Sequence, residues 1–258
     1  AKVTVFNIES SILKREEPIV QELANEYLTE QGITILNDVT LNSVSNDGNK
    51  PVITANSQNY TFDAVLYATG RKPNTVNIGL ENTDITTNER GAIVVNDTCE
   101  SSVSGVYAVG DVNGGPQFTY ISLDDFRIVF GALTGNGQYT LKDRKNIPYT
   151  TFLTPPLARV GLTEEDAINK GYTVKTKEML VATMPRAHVN DYLKGAFKIV
   201  VNAENNLILG ATLYSQGAEE LINLIKMAMD NNIPYTYFKN QIFTHPTMAE
   251  NLNDLCNL

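Results

Sequence analysis

The spacing of apolar and polar residues predicts a chain of alternating strands and helices rather than one repeated element. Residues 2–6 alternate as a strand. Ile19 to Leu28 then place apolar side chains at helical spacing behind Pro18, which a first helical turn accepts because its missing N–H has no partner there anyway. Gly32 ends that helix. Between 32 and 70, short β-rich pieces are separated by Asn, Asp and Gly turns, and DAVLYATG, residues 63–70, is predicted as an apolar strand closing on a glycine. AIVV at 92–95 and GVYAVGD at 105–111 predict two more strands, the second buried and ending on a Gly-Asp pair, with a helix starting near Phe118.

A second unit begins near Pro148. TPPLARVGLTEEDAINKGYTV predicts a strand, then a helix that opens on the Thr163-x-x-Asp166 capping signature and stops at Gly171. GAFKIVVNAENNLILGATLYS predicts a β-hairpin with an Asn-rich turn. Ala218 to Asp230 predicts a helix with Leu221, Ile222, Ile225 and Met229 on one side, and a final helix follows His245-Pro246.

Composition narrows the function classes. With 258 residues, 42% of them hydrophobic, the chain can bury a core of one large or two smaller domains. A formal net charge of −9, with the basic residues scattered, argues against nucleic acid or an anionic membrane as partner. No apolar run reaches bilayer length and AKVTVFNIES has no signal-like pattern, so a cytoplasmic location is expected. Cys99 and Cys256 stand in no CxxC or CxxxxC spacing, and neither a metal site nor a local redox disulfide is predicted.

The candidate chemistry begins at GVYAVGD. A carboxylate just past a buried strand lies where doubly wound sheets bind nucleotides, so Asp111 could accept a hydrogen bond from a sugar-like hydroxyl. Alone, a Gly-Asp pair is as well explained as a turn or a helix cap. ATGRKPN at 68–74, TCESSVSGVYAVGD at 98–111, TPPLARVGLTEEDA at 154–167 and FTHPTMAE at 243–250 change that weighting. In this order they resemble the C-terminal half of the pyridine nucleotide-disulfide oxidoreductases, the family of glutathione reductase, dihydrolipoamide dehydrogenase and mercuric reductase, and the resemblance runs over essentially the whole chain.

The resemblance implies an α/β and α+β architecture: partial doubly wound nucleotide-binding domains, then an α+β dimerisation domain with an antiparallel sheet. Residues 1–70 would complete an NAD(P)-binding domain, 71–146 belong to an FAD-binding domain and 147–258 form the interface domain of a homodimer. It implies that Gly110 and Asp111 meet the FAD ribityl chain and that Gln117, Phe118 and Thr119 open the helix facing the flavin pyrimidine edge. Gly70 would close the nicotinamide-nucleotide domain, and the Val160 carbonyl would lie near the nicotinamide amide.

His245 and Glu250 would be the catalytic pair, the imidazole serving the redox cysteines and flavin of the other subunit. The residue types suit that role, because a thiol must lose a proton to attack, a leaving thiolate must regain one, and a carboxylate on the other ring nitrogen fixes the tautomer. Pro246 is expected to let the chain pass directly into a helix that returns Glu250 to the ring. His188 has no partner at metal-ligand spacing and is expected to be solvated or hydrogen-bonded, and Arg186 beside it could bind an anion or form a structural ion pair.

PQFTYISLDDFRIV and MPRAHV are most similar to the bacterial branch related to mercuric reductase that acts against reactive chlorine species and reduces hypothiocyanous acid, which implies a small oxidised sulfur or chlorine substrate. The family's glycine fingerprints for FAD and NAD(P)H and its CxxxxC pair are not in this sequence, and the chain opens directly on a strand. The expectation is therefore a fragment that binds no cofactor and is inactive by itself. Asn7 and Glu9, where the ribose-contacting acid commonly stands, leave NADH and NADPH both open. The alternative reading is a non-catalytic dimerisation module built on apolar faces such as that of Ala218 to Asp230.

Overall fold

The computed structural model describes residues 1–258. The chain divides into two compact units, one made of Ala1–Val65 and Asn146–Leu258, the other of Leu66–Lys145.

The first unit opens with β1 (Thr4–Phe6), α1 (Pro18–Glu30) and β2 (Thr34–Leu36), and β1 pairs with β2 in parallel. Parallel neighbours need a crossover, and α1 supplies it. Pro18 occupies its first turn, and Val20, Ala24 and Tyr27 form its buried stripe at helical spacing. β3 (Leu41–Asp47), β4 (Lys50–Ala55) and β5 (Gln58–Thr61) then build an antiparallel sheet in that order. The β4–β5 turn uses Asn56 and Ser57, both at positive φ, as a two-residue hairpin loop requires.

In the second unit the long element is α2 (Thr119–Thr134), which starts where the sequence predicts. The strands predicted at 63–70, 92–95 and 105–111 do not form. Isolated antiparallel bridges, Thr87 with Ile93 and Glu100 with Tyr107, are all the pairing that the last two make. The Tyr107 bridge is held by Ala108 N–H to Cys99 O and Ser101 N–H to Val106 O, and Ile93 N–H goes to Val112 O. Residues 63–70 have no ladder partner, and Leu66 and Tyr67 are 90% and 73% exposed. An apolar run reports a tendency to be buried, whereas a strand also needs a neighbour to receive its hydrogen bonds.

The chain then returns to the first unit through β6 (Tyr149–Thr151), β7 (Leu157–Gly161), α3 (Glu164–Asn169), β8 (Val174–Leu180), α4 (Pro185–Val189), β9 (Ala196–Asn202), β10 (Ile208–Tyr214), α5 (Ala218–Asp230), α6 (Tyr235–Asn240) and α7 (Asn251–Leu255). Thr163 and Asp166 cap α3 reciprocally, and Gly171 follows its end at φ +84°. The five strands form one antiparallel sheet, ordered β6-β7-β10-β9-β8. This is the mixed architecture the resemblance implies, with its antiparallel interface sheet.

Both faces of that sheet are covered. Ala158, Val160, Phe197, Ile199, Ala211 and Leu213 pack with the buried sides of α5 and α7. On the other face Leu157 and Tyr214 pack with Val20, Ala24 and Tyr27 of α1. Strand alternation then places a polar row across the α1 face, Tyr149, Arg159, Thr212, Lys198 and Glu178 each lying opposite the next. The residues ahead of α1 neutralise it: Glu17 meets Lys198 at 3.0 Å, and Glu16 meets Arg159 at 3.4 Å and accepts from the Tyr149 hydroxyl. Glu164 and Glu178 complete the ring around Lys198 at 2.7 and 2.9 Å. Burial works against the Lys198 charge, but these three carboxylates outweigh it and hold the ammonium well above the usual lysine range.

No helix is long and apolar enough to cross a membrane.

Removing one member of a buried ion cluster strands the rest. Lys198→Met should therefore destabilise the protein by about 3 kcal/mol in urea unfolding. A loss under about 1 kcal/mol would show that the buried carboxylates have other means of compensation.

Candidate functional site

Of the residues singled out from the sequence, Val160, His245 and Glu250 lie in the first unit, and Gly70, Gly110, Asp111, Gln117, Phe118 and Thr119 in the second. Each group has its own local scaffold.

α7 anchors the first group. Leu252, Leu255 and Cys256 are buried in the same core as the sheet. Lys177 on β8 donates to the carbonyls of Asp254 and Asn257 at 2.7 and 3.0 Å, satisfying acceptors that a helix C-terminus leaves open. Asn253 ties the helix to the preceding segment through the Phe238 and Gln241 carbonyls at 2.6 and 2.9 Å.

Glu250 sits at the start of this helix with both carboxylate oxygens engaged. Oε1 accepts from Thr247 N–H at 3.1 Å, while Thr247 Oγ1 accepts from Glu250 N–H at 3.2 Å. Oε2 lies 2.7 Å from His245 Nδ1. The helix does not follow Pro246 directly, as the sequence suggested, but begins at Asn251. The reciprocal Thr247–Glu250 bonds, of the kind made in a capping box, close the intervening turn and bring the carboxylate back to the ring.

This arrangement decides the chemistry of the imidazole. An ionised carboxylate can only accept, so Nδ1 carries the proton and Nε2 of the neutral ring is left as the base. The His245 side chain is 68% exposed and that of Glu250 only 19%, so the ring is open to solvent while its partner is held from behind. The hydrogen bond from His245, foremost, and that from Thr247 hold the Glu250 carboxyl below the usual glutamate range, against the opposing effect of burial.

The remaining histidine and the cysteines are bystanders. His188 Nε2 meets the Ala182 carbonyl at 2.8 Å on α4. Cys99 and Cys256 are fully buried, and burial pushes their thiols up to about 11 and about 12, which disfavours the thiolate that redox exchange requires. Val160 is buried on β7, opposite Ala211.

In the second unit Gly110–Asn113 make a single tight 3₁₀ turn. Gly110 has φ +75°, and a Cβ there would come within 2.6 Å of Ser122 Oγ, so only glycine fits. The Asp111 side chain is 49% exposed, with Arg71 3.7 Å away. Arg71 also donates to the Gln117 carbonyl at 3.4 Å. Arg71, Gln117 and Phe118 line a cavity of about 410 Å³, and Gly70 immediately precedes Arg71 at φ +118°. α2 starts at Thr119 with no side chain capping it, Phe118 being extended at the N-cap.

A half-exposed carboxylate that can accept from hydroxyls, beside a helix N-terminus with no side-chain cap, suits a polyhydroxyl chain joined to an electron-rich ring. FAD is such a molecule, and Asp111 with Gln117–Thr119 would hold it. Sequence reasoning missed Thr247, whose signal was the Thr-x-x-Glu spacing, and also Lys177 and Asn253, whose partners lie too far along the chain to leave a local signature.

The chain is similar to known proteins over its whole length. Residues 1–125 match the family described as pyridine nucleotide-disulphide oxidoreductase, and residues 147–256 match its dimerisation domain. Among curated proteins, the "probable pyridine nucleotide-disulfide oxidoreductase RclA" of Escherichia coli (strain K12) is 42% identical over 100% of this chain and 58% of its own length. A mercuric reductase of Staphylococcus aureus is 34% identical over 97% of this chain and 46% of its own length. Among solved structures, the HOCl-induced flavoprotein disulfide reductase RclA from Escherichia coli superposes with a TM-score of 0.95 at 41% identity, covering 100% of this chain and 59% of that one. The chain thus spans about half the length of these relatives. With its two segments matched in order by two parts of one family, and with the fold reproduced, the chain belongs to the pyridine nucleotide-disulphide oxidoreductases.

Proposed function

We propose that this chain supplies the proton-handling part of the reaction centre in an FAD-dependent NAD(P)H oxidoreductase, a homodimer that reduces a small oxidised sulfur or chlorine species. The observation that carries the reading is the exposed His245 ring held by Glu250 at 2.7 Å. FAD would pass reducing equivalents from NAD(P)H to a redox cysteine pair, which is not formed by the buried Cys99 and Cys256.

The work of the chain's own residues is proton transfer. Nε2 of His245 takes the proton from an attacking thiol and returns it to a leaving thiolate or to the reduced product. Glu250 keeps the ring in the tautomer that exposes Nε2 and offsets the positive charge when the ring is protonated. Asp111 would orient the ribityl chain, and the backbone at the start of α2 and the Val160 carbonyl would offer hydrogen-bonding groups to the flavin and to the nicotinamide. The chlorine- and sulfur-directed substrate class is supported by the 42% identity to a relative whose structure is described as HOCl-induced. The match to the dimerisation domain supports the homodimer.

In the assembled enzyme His245→Ala should lower turnover by roughly 10²- to 10⁴-fold while the dimer persists in gel filtration. Unchanged turnover would favour a purely dimerising role.

The carboxylate–imidazole pair gives an independent check. A glutamate whose folded pKa is depressed contributes stability that is present above its unfolded value of about 4.3 and is lost as pH falls through the lower folded value. The Glu250 carboxyl carbon, followed by NMR, should titrate below an unpaired glutamate, and His245→Ala should return its midpoint toward the ordinary range. A midpoint that ignores the histidine would show that the contact is not formed in solution.

A further inference from the structure

Asp125 is a fully buried acid in the middle of α2, within PQFTYISLDDFRIV but outside the four motifs that carry the family resemblance. A carboxylate removed from water is costly unless its oxygens are satisfied. Here Oδ2 accepts from Gly110 N–H at 2.7 Å and from Asn113 Nδ2 at 2.9 Å, and Oδ1 is paired with the Arg144 guanidinium. Arg144 is itself mostly buried and is held by Asp124 at 2.7 Å.

The position of these partners matters more than their number. Asp125 grips the residue before Asp111 and the residue two after it. Asn113 extends the grip: its Nδ2 also meets the Ala108 carbonyl at 3.3 Å, and its Oδ1 accepts from Gly115 N–H at 2.9 Å. Ser122, one helical turn before Asp125, fills the space that a Cβ on Gly110 would need. The 3₁₀ turn is thereby pinned to α2 from below, and Asp111, between the pinned residues, is left with its carboxylate half-exposed.

We propose that Asp125 is a positioning residue for the flavin, clamping Gly110 and Asn113 so that Asp111 is already aimed at the ribityl hydroxyls before the cofactor arrives. Asp125 is too deeply buried to touch the cofactor and acts only through Asp111. Fixing the turn in advance removes an ordering cost from binding, which is how preorganised sites gain affinity. The inference rests on the reading of Asp111 as the ribityl ligand.

A double-mutant cycle on the FAD-binding homodimer separates this role from a merely structural ion pair. FAD dissociation constants would be measured by flavin fluorescence for the parent, Asp125→Asn, Asp111→Ala and the double variant, with melting of the FAD-free forms as a control for folding. The expected result is that Asp125→Asn weakens FAD by about tenfold in the parent but by less than about twofold when Asp111 is already alanine. Equal weakening in both backgrounds, or none in the parent while Asp111→Ala does weaken FAD, overturns the inference. If Asp111→Ala leaves FAD binding unchanged, the ribityl reading falls first and takes the inference with it. Should Asp125→Asn fail to fold, Asn113→Ala takes its place in the same cycle, with about threefold weakening expected in the parent and none beside Asp111→Ala.

Discussion

The burial of one antiparallel sheet on both faces is the constraint from which the rest follows. All seven residues of β9 are buried, so the strand can carry no side chain whose needs are left to solvent. One face answers with apolar packing under α5 and α7; the other answers with α1 and a polar row closed by Glu16 and Glu17. Because α7 sinks Leu252 and Leu255 into the same core, its start is anchored there, and Glu250, just ahead of it, is fixed with it. The geometry of His245 is thus inherited from sheet packing through a single short helix.

Both candidate sites use buried or half-buried carboxylates as braces rather than as reactive groups. Glu250 divides its oxygens between a backbone N–H and an imidazole. Asp125 divides its oxygens between a turn and a guanidinium. In each case one residue, His245 or Asp111, remains open to the outside while its support is largely or wholly withdrawn from water, and low exposure strengthens the bonds that do the supporting.

What could be read from the sequence was what is local. α5 is predicted by its periodicity and α3 by its Thr-x-x-Asp start, and the β9–β10 hairpin by two apolar runs around an Asn-rich turn. The His245–Glu250 contact is also local, five residues apart, and the motif that contains it made it visible. Residues 63–70 and 105–111 misled because their apolar runs lack ladder partners in this chain. The burial of Lys198 and Asp125 depends on Glu17 and on Arg144, which no periodicity connects to them. Long-range ionic partners leave no trace in spacing.

The central claim is that His245 completes a reaction centre whose cysteines belong to the other subunit. Mixed dimers of the assembled enzyme test it most directly, pairing a His245→Ala subunit with a subunit that lacks the redox cysteines. Each parent dimer should be nearly inactive. The account predicts that the mixed dimer regains about half of the normal activity, since one of its two centres unites intact cysteines with an intact histidine. A mixed dimer as inactive as its parents would place the histidine and the cysteines of one centre on the same subunit and contradict the account.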